Sequence, residues 1–407
     1  MPSPRPTNTS QRGRDLCHLA FRQTLDLLRV TDGALEELCT DCDQVPGLDA
    51  LVIRALNEMA LGEGGQKTRA PSHVFLIHGP APRYTGILYR LEENKGYVSV
   101  TGAIPVEPSV LTFAGVSLGG VALSNFEEEP VSRDEYKKRF PSQFHEALGG
   151  EVHNYLAHRI AGDWAGALMA INYPERATRY EGQVLSALAI TLGSLWTLTA
   201  RINQVEEAFL YLVGALARAS EVNDEVTGDH ILRVSRCAEA LARKIGCSPE
   251  QARTIGYSAE LHDVGKLHTP GHILRKPGPL NAEEGKLMRE HTTQGEKIIG
   301  TSPRLQVARR IAGNHHENWD GSGYPRGRAG AEIPLEARVV KIVDVYDALC
   351  AQRPYKPPLT HEQACEVMFR GDQRTDPGKH FDPDILTAFR EIHGDFRRIH
   401  AEVPPWP

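Results

Sequence analysis

The chain is 407 residues long, and 41% of these residues are hydrophobic and 24% are charged. This length predicts two or three domains, and the hydrophobic content is sufficient for a core in each. The formal net charge of -6 argues against a protein that coats a nucleic acid polymer through an overall basic surface. Any nucleotide must therefore meet a local cluster of positive charge.

The N-terminal segment, residues 1–14, is rich in Pro, Ser, Thr and Arg. It lacks the apolar core of a signal peptide, so we expect a loose tail and a cytoplasmic protein. The seven cysteines are scattered, which fits a reducing compartment. Cys39 and Cys42 form a Cys-x-x-Cys pair. Without a second pair or neighbouring histidines, this spacing is more typical of helix thiols than of a zinc site.

The first half of the chain is predicted to be an α+β domain. Residues 15–62 alternate apolar and polar positions at helical spacing, which predicts two helices. From His73 the period changes to short runs rich in β-branched and aromatic residues, and these runs predict an antiparallel sheet flanked by helices. The runs are residues 74–77, 85–89, 97–100, 152–157 and 167–171.

The order of these runs, followed by a polar loop and a long helix from about Tyr180, resembles the end of a GAF sensor domain. We place this GAF-like domain at residues 15–180. No cysteine lies between Cys42 and Cys237, which argues against a thioether-linked bilin, and nothing in the sequence names another ligand. The histidines of this half are more typical of surface or packing residues than of a haem ligand. They are His73, His78, His145, His153 and His158.

A long linker helix is predicted between the two halves, at residues 181–220. Its uncharged stretch, residues 182–200, contains Thr, Ser and Gly, and it suits a buried or dimerising helix at least as well as a membrane span. The position between two domains favours a parallel homodimer over packing on its own domain. Seven apolar residues at alternating spacings of three and four form an a/d stripe, which we call the seam: Leu195, Leu198, Ile202, Val205, Phe209, Leu212 and Leu216.

The second half, from Asp224 to about Ile392, is predicted to be all-α. Several helices begin at a proline or a capping residue, such as Asn281 and the Ser302-Pro303 pair. The candidate helices are residues 231–245, 249–261, 282–299, 303–316, 335–351 and 361–370. We place this domain at residues 221–392 and a C-terminal tail at residues 393–407.

Seven His and Asp residues of this half are candidate metal ligands. Most are separated by tens of residues, so they would come from different helices and could converge on the core of a bundle. Divalent metals accept this mixture of imidazole and carboxylate. Two cations about 3.5–4 Å apart can hold a nucleophilic hydroxide and phosphoryl oxygens, which indicates a phosphoester hydrolase. We expect Asp263 to bridge two centres, one with His230, His262 and Asp344 and the other with His291, His315 and His316.

Several motifs follow one another in this half of the chain. They are Thr227-Gly228-Asp229-His230, Leu261-His262-Asp263-Val264-Gly265-Lys266, and residues 273–278, 291–295, 315–325, 344–349 and 353–356. Together they resemble the HD-GYP phosphodiesterases, a branch of the HD superfamily that hydrolyses cyclic di-GMP. The resemblance spans residues 221–392 and implies a di-iron or tri-iron centre, sometimes manganese, held by the seven candidate ligands.

The resemblance also implies roles around the metals. Lys266 would place an ammonium group on the scissile phosphate and act with the bridging aspartate as the catalytic pair. Asp347, three residues after the last ligand, could orient a ligand or the substrate. The family positions that match Arg353 and Lys356 contact substrate phosphates. Tyr324 offers a stacking face for guanine or a contact for a signalling protein.

One position departs from the family pattern. Trinuclear members carry a glutamate four residues before the first histidine, and Val226 stands at that position here. The neighbouring Glu225 is rotated by about 100° of helix phase. We therefore expect two divalent metal ions, iron or manganese. A site without a third metal should open the ring to linear pGpG and convert that product to GMP poorly.

Three other functions compete with this prediction. Some members of the family accept cyclic GMP-AMP, and the sequence does not separate the two substrates. A non-catalytic scaffold that binds a cyclic dinucleotide would have little use for a full ligand set and Lys266. A general nucleotide phosphohydrolase of the wider superfamily would not need the second histidine group or the Gly-Tyr-Pro loop.

Overall fold

The computed structural model describes residues 52–57, 70–79, 82–100, 102–116, 120–160, 166–221, 229–351 and 358–403. Residues 52–57 are helical, and the rest of the two predicted N-terminal helices lies outside the described residues. The predicted tail at residues 1–14 and the Cys39 and Cys42 pair also lie outside them. The chain divides into two compact units, residues 1–204 and residues 205–407.

The first unit contains an antiparallel sheet of seven strands, which confirms the predicted sheet. The strands pair in the order β3-β2-β1-β7-β6-β5, and β4 also pairs with β2. Two of them are not predicted by the sequence pattern, because β4 is short and contains a proline and β5 is an edge strand. The strands are β1 His73–His78, β2 Tyr84–Glu92, β3 Gly96–Ser99, β4 Ile104–Val106, β5 Val121–Asn125, β6 Asn154–Ile160 and β7 Gly166–Ile171.

Both faces of this sheet are covered. Val74 and Leu76 of β1 belong to one core, which includes Leu188 of the long helix, whereas Phe75 and Ile77 belong to a second core. Alternate side chains of a central strand are buried on opposite faces, so such strands have continuous apolar sequences. Three short helices contribute to the second core: α1 Pro108–Phe113, α2 Arg133–Lys137 and α3 Ser142–Leu148.

A single helix, α4 Arg179–Glu221, confirms the predicted long helix after the sheet. Its first turns pack on the sheet through Leu188 and Leu192. Within the described part of the chain, one helix is long and apolar enough to cross a membrane by length and composition alone; it is α4, and 33% of its most apolar stretch is buried. Much of the seam is exposed, with Val205 at 61% and Leu212 at 65%.

The second unit is helical in its described residues, apart from an isolated bridge between Asp320 and Ala329. The helix predicted at residues 282–299 is two helices that meet at Glu290. The helices are α5 Asp229–Lys244, α6 Pro249–Ala259, α7 Gly271–Leu274, α8 Ala282–Arg289, α9 His291–Ile299, α10 Gln306–Asn314, α11 Leu335–Cys350, α12 His361–Arg370, α13 Pro377–His380 and α14 Pro383–Glu402. Short 3-10 turns include Val264–His268 and Pro303–Leu305.

The prediction of a C-terminal tail at residues 393–407 is wrong for its first ten residues, which form the second half of α14. The physical reason is an apolar stripe at helical spacing that the sequence analysis did not follow past residue 392. Phe389 and Phe396 are fully buried in the main core, and Ile399 packs against them. The side chain of Asp382 accepts from two backbone amides and caps the start of the helix.

Candidate metal centre

The seven predicted ligands come from five places in the helical unit. The first lies in the first turn of α5, two follow α6, one begins α9, two follow α10 and the last lies in α11. The structure brings them into two groups, and within each group the potential ligand atoms lie within 4.8 Å of one another. One group is His230, His262 and Asp344, and the other is Asp263, His291, His315 and His316.

Asp263 lies between the two groups. Its Oδ2 is 3.3 Å from His262 Nε2, and its Oδ1 is 3.3 Å from His291 Nε2 and 3.7 Å from His315 Nε2. Each carboxylate oxygen therefore faces one group, which is the geometry that a bridging ligand needs.

A glycine allows the turn after Asp263 to approach α9 this closely. A Cβ added at Gly265 would lie 1.8 Å from the carbonyl oxygen of His291 and 2.5 Å from the backbone nitrogen of Gly295. Any larger residue would force the 3-10 turn away from α9. Gly265 thus sets the distance between Asp263 and His291.

Backbone carbonyls orient three of the imidazoles. His262, His291 and His315 each donate from Nδ1 to a carbonyl oxygen three or four residues earlier, at 2.8, 2.7 and 3.1 Å. A carbonyl oxygen can only accept, so Nδ1 carries the proton and Nε2 keeps its lone pair. Metal-binding histidines are typically held in this way.

Four polar atoms at the centre are buried without a hydrogen-bond partner among the described residues. They are Oδ1 of Asp263 and Nε2 of His262, His291 and His315. An unpaired buried polar atom costs about 1–3 kcal/mol, so such atoms rarely gather in one place without a ligand. Imidazole lone pairs and a carboxylate oxygen suit a divalent metal, and the residues present fit such ions.

Burial and neighbouring charges favour the metal-binding forms of most ligands. Burial lowers the pKa of His291 to about 4, and burial together with the nearby His315 holds the pKa of His316 well below its usual range. Burial opposes ionisation of Asp263, but Lys266 and His262 hold the pKa of this carboxyl well below its usual range. Neutral imidazole and ionised carboxylate are the forms that coordinate metals.

His262 differs from the other imidazoles. Burial disfavours its charged form, but the adjacent Asp263 outweighs burial and raises the pKa of His262 to about 9. A metal at this position must therefore replace a proton.

Asp347 lies behind His230. It is fully buried, and its oxygens are 2.7 Å from His230 Nδ1, 2.6 Å from Arg233 Nε and 3.1 Å from His400 Nε2. Burial alone would raise the pKa of Asp347, but these partners hold it well below its usual range. The side chain of Asp347 packs between α5 and α14. These contacts fit the predicted alternative in which Asp347 orients a ligand, and the predicted substrate contact stays a prediction.

Lys266 lies beside the bridging carboxylate, with Nζ 2.7 Å from Asp263 Oδ2. The structure therefore places the predicted catalytic ammonium against the carboxylate oxygen of Asp263 that faces His262. A second lysine, Lys341, is not predicted by the sequence analysis. Burial lowers its pKa, against the opposing effects of Asp344 and Glu317.

Tyr324 closes the His316 side of the centre. The two rings are stacked, with centroids 4.7 Å apart and planes 24° apart, and the Arg289 guanidinium carbon is 5.3 Å from the centre of the tyrosine ring. A Cβ at Gly323 would lie 2.3 Å from the backbone nitrogen of Asn318, so glycine allows the loop to fold this tightly. His316, a candidate metal ligand, thus covers one face of Tyr324, and Arg289 lies close to the same ring.

Four residues near the centre are missing from the predicted roles. The spacing of two of them could have revealed them, because Arg233 lies one helical turn after His230 and Lys341 one turn before Asp344. Arg289 and His400 carry no such local signal. Three positions used in the sequence analysis lie outside the described residues. The predicted phosphate contacts depend on Arg353 and Lys356, and the predicted number of two metal ions depends on Val226.

Residues 207–385 match the family model described as "HD domain". The helical unit therefore carries an HD-type domain.

Three curated relatives are each similar to at least half of this chain. The "3'3'-cGAMP-specific phosphodiesterase 2" of Vibrio cholerae is 35% identical over 240 residues, covering 58% of this chain and 45% of the relative. A "Cyclic di-GMP phosphodiesterase" of the same organism is 37% identical and covers 56% and 49%. The "Cyclic di-GMP phosphodiesterase response regulator RpfG" of Xanthomonas campestris is 41% identical and covers 50% and 53%. The chain spans about half the length of these relatives.

Proposed function

We propose that the helical unit is a metal-dependent phosphodiesterase that hydrolyses cyclic di-GMP to linear pGpG. The observation that carries this proposal is the pair of His/Asp groups that meet at Asp263. Four of their ligand atoms are buried and have no hydrogen-bond partner among the described residues. The similarity to relatives named as cyclic di-GMP phosphodiesterases supports the choice of substrate.

The residues of the chain would prepare the reaction by orientation and charge. When bound, two divalent metals would supply an activated water and an electrophile for attack on phosphorus. His291 and His315 keep their Nε2 lone pairs directed at the centre, His262 would exchange its Nε2 proton for the metal, and the buried Asp263 carboxylate faces both groups. Lys266 would offset the negative charge that develops on the phosphoryl oxygens. Hydrolysis of one P–O3′ bond consumes one water and opens the ring.

Two metal ions, iron or manganese, form part of the proposal. Val226 stands where trinuclear enzymes of the family that the chain resembles carry a glutamate, and this supports two ions over three. Metal analysis of the purified protein should give two iron or manganese ions per chain, and three irons per chain would contradict the proposal.

Cyclic GMP-AMP is the second candidate substrate. It is favoured by the similarity to the relative named as a 3'3'-cGAMP-specific phosphodiesterase. The chemistry at phosphorus is the same for both substrates, so the centre itself does not separate them. Contacts to the base edges decide between guanine and adenine.

The deciding experiment uses anaerobically purified, iron-loaded full-length protein. Cyclic di-GMP and 3'3'-cGAMP are incubated in parallel, and the products are separated over time by chromatography. We expect faster loss of cyclic di-GMP, with accumulation of pGpG. Faster loss of 3'3'-cGAMP would select the second candidate, and binding without turnover by metal-replete protein would indicate a scaffold. Rapid conversion to GMP would count against the predicted product.

The proposed enzyme is a cytoplasmic homodimer whose GAF-like unit controls the HD-type domain through α4. The exposure of the seam supports this arrangement, because Val205 and Leu212 are at least three-fifths exposed in the single chain. The double variant Val205→Glu/Leu212→Glu should convert a dimer to a monomer in sedimentation experiments. Ala200→Glu/Asn203→Glu adds the same charge outside the seam and should leave the dimer intact. A monomeric parent protein would contradict the proposal.

A further inference from the structure

A second cluster of metal-ligating side chains lies in the helical unit, in addition to the Asp263 groups. His361 and Cys365 are one turn apart on α12, and His393 lies on the facing helix α14. One ligand atom from each of the three residues lies within 4.8 Å of the others. The sequence analysis gave none of these three residues a role.

The distances in this cluster are close to those of a tetrahedral metal site. His361 Nε2 is 2.9 Å from His393 Nδ1 and 3.7 Å from Cys365 Sγ. Zinc bonds of about 2.0–2.1 Å to nitrogen and about 2.3 Å to sulfur imply roughly 3.3 Å between two nitrogens and roughly 3.6 Å between nitrogen and sulfur. The two distances from His361 Nε2 are therefore within a few tenths of an ångström of those in a tetrahedral zinc site.

The surroundings also resemble those of a metal site. Tyr346 Oη is 2.7 Å from His361 Nδ1, which holds the ring and leaves Nε2 directed at the other two ligands. Cys365 is 7% exposed, whereas the two histidines are only half-buried. An ion could thus enter from the histidine side and meet a thiol that is shielded from solvent.

We propose that His361, Cys365 and His393 form a mononuclear zinc site, with a water as the fourth ligand. Thiolate and imidazole ligands together favour zinc over the harder cations that carboxylates bind. Binding replaces the proton of the Cys365 thiol with the metal. The two helices that carry the ligands, α12 and α14, would then be cross-linked at the edge of the main core.

Cobalt(II) provides a probe that separates this site from the Asp263 groups. The Asp263 groups contain nitrogen and oxygen ligands, so a thiolate-to-cobalt charge-transfer band reports on a site with a cysteine. Full-length protein titrated with Co²⁺ should develop this near-ultraviolet band, and Zn²⁺ should abolish it by displacement. Absence of the band at saturating Co²⁺ would overturn the proposal.

Matched variants assign the band to a particular cysteine. Cys365→Ser should remove it, whereas Cys247→Ser and Cys39→Ser/Cys42→Ser should retain it. A band that survives in Cys365→Ser, or that disappears in Cys39→Ser/Cys42→Ser, would overturn the proposal.

A second variant tests the role of Tyr346 without removing a ligand. Tyr346→Phe keeps the ring in the core and removes the hydroxyl that holds His361. It should weaken Co²⁺ binding by about 10- to 100-fold and leave the charge-transfer band in place at saturation. Unchanged affinity would contradict the orienting role of Tyr346. Circular dichroism verifies that each variant is folded.

Discussion

Each of the two units contains a cluster of polar and charged side chains that are buried or half-buried, but the clusters are built differently. In the sheet unit, Arg139 lies 2.7 Å from Glu129 Oε2 and donates to Tyr155 Oη at 3.3 Å and to Ser124 Oγ at 3.4 Å. Ser124 in turn donates to Glu129 Oε1 at 2.6 Å. The members of this cluster are hydrogen-bond or ion-pair partners of one another, so we call it the closed cluster.

The Asp263 groups in the helical unit contrast with the closed cluster, and we call them the open cluster. Their Nδ1 atoms are bonded outward to backbone carbonyls, while the inner Nε2 atoms of three histidines and Oδ1 of Asp263 have no hydrogen-bond partner among the described residues. A closed cluster stabilises its unit by itself, whereas an open cluster costs stability until a ligand completes it. We use this difference in hydrogen bonding to distinguish polar residues that stabilise the fold from polar residues proposed to bind a metal.

The largest expected effect follows from destroying the open cluster. His262→Ala/Asp263→Ala removes one imidazole and the carboxylate that faces both groups, so both metals should be lost. Turnover of the cyclic dinucleotide should fall by more than the roughly 10²–10³-fold that loss of one transition-state contact costs. The rate of product formation and the metal content of the purified variant measure the effect.

His268→Ala is the matched control for this variant. His268 lies in the same 3-10 turn and is exposed. Its replacement should leave both the rate and the metal content unchanged. Retained turnover in the double variant would refute the assignment of the site.

The second largest effect is expected from removing a positive charge that lies beside the candidate metal ligands but is not a ligand itself. Lys266→Met keeps the length of the side chain and removes the ammonium group that lies 2.7 Å from Asp263 Oδ2. We expect kcat to fall by about 10²–10³-fold with metal content unchanged. Lys286→Met, on the exposed side of α8, is the control. Loss of metal in Lys266→Met would instead assign the lysine to holding Asp263.

A smaller effect is expected from changing Asp347, which contacts the candidate ligand His230. Asp347→Asn presents an amide to His230, and the amide nitrogen can only donate, so the imidazole is driven towards the tautomer with its proton on the metal-facing Nε2. Metal affinity should fall by about 10- to 100-fold, and excess metal should restore turnover. Asp395→Asn on α14 is the control. Unchanged metal affinity with a raised KM would support the substrate contact that the sequence analysis predicted.

The contrast between the two clusters also explains what sequence reasoning can reach. The convergence of the seven candidate ligands could be predicted because each belongs to a short motif of chemically specific residues, and their grouping around Asp263 followed from the adjacent histidines. The support of His230 by Asp347 was less accessible, because the two residues are 117 positions apart and the contact depends on how α5 packs against α11. His400 was missed because its helix begins beyond the last motif, where only the spacing of apolar residues signals a helix.

In the sheet unit the periodicity predicted the central strands, since buried runs such as β1 and β7 are long and apolar. It did not predict β4 or β5, whose pairing depends on neighbours and not on their own composition. The closed Arg139 cluster was not predicted either. Its members come from β5, β6 and the loops around α2, and none of them carries a recognisable motif.

The smallest expected effect on activity comes from opening the closed cluster. Arg139→Met keeps the aliphatic stem of the side chain but removes the guanidinium that donates to Tyr155 and pairs with Glu129, which keeps Ser124 as its donor. The free energy of unfolding of the sheet unit should fall by about 1–3 kcal/mol, because these hydrogen bonds involve a charged group. Turnover below the melting temperature should not change, since the catalytic residues lie in the other unit. Arg133→Met, which breaks an exposed ion pair with Glu151, should cost less than about 1 kcal/mol.

Thermal unfolding with and without metal completes this test. Metal at a hundredfold excess over its dissociation constant stabilises the state that binds it by about 2.7 kcal/mol, so the transition of the helical unit should rise. Arg139→Met should lower only the transition of the sheet unit, and metal should not restore it. A common shift of both transitions in either experiment would mean that the two units unfold together. The effect of each cluster on stability would then have to be measured residue by residue.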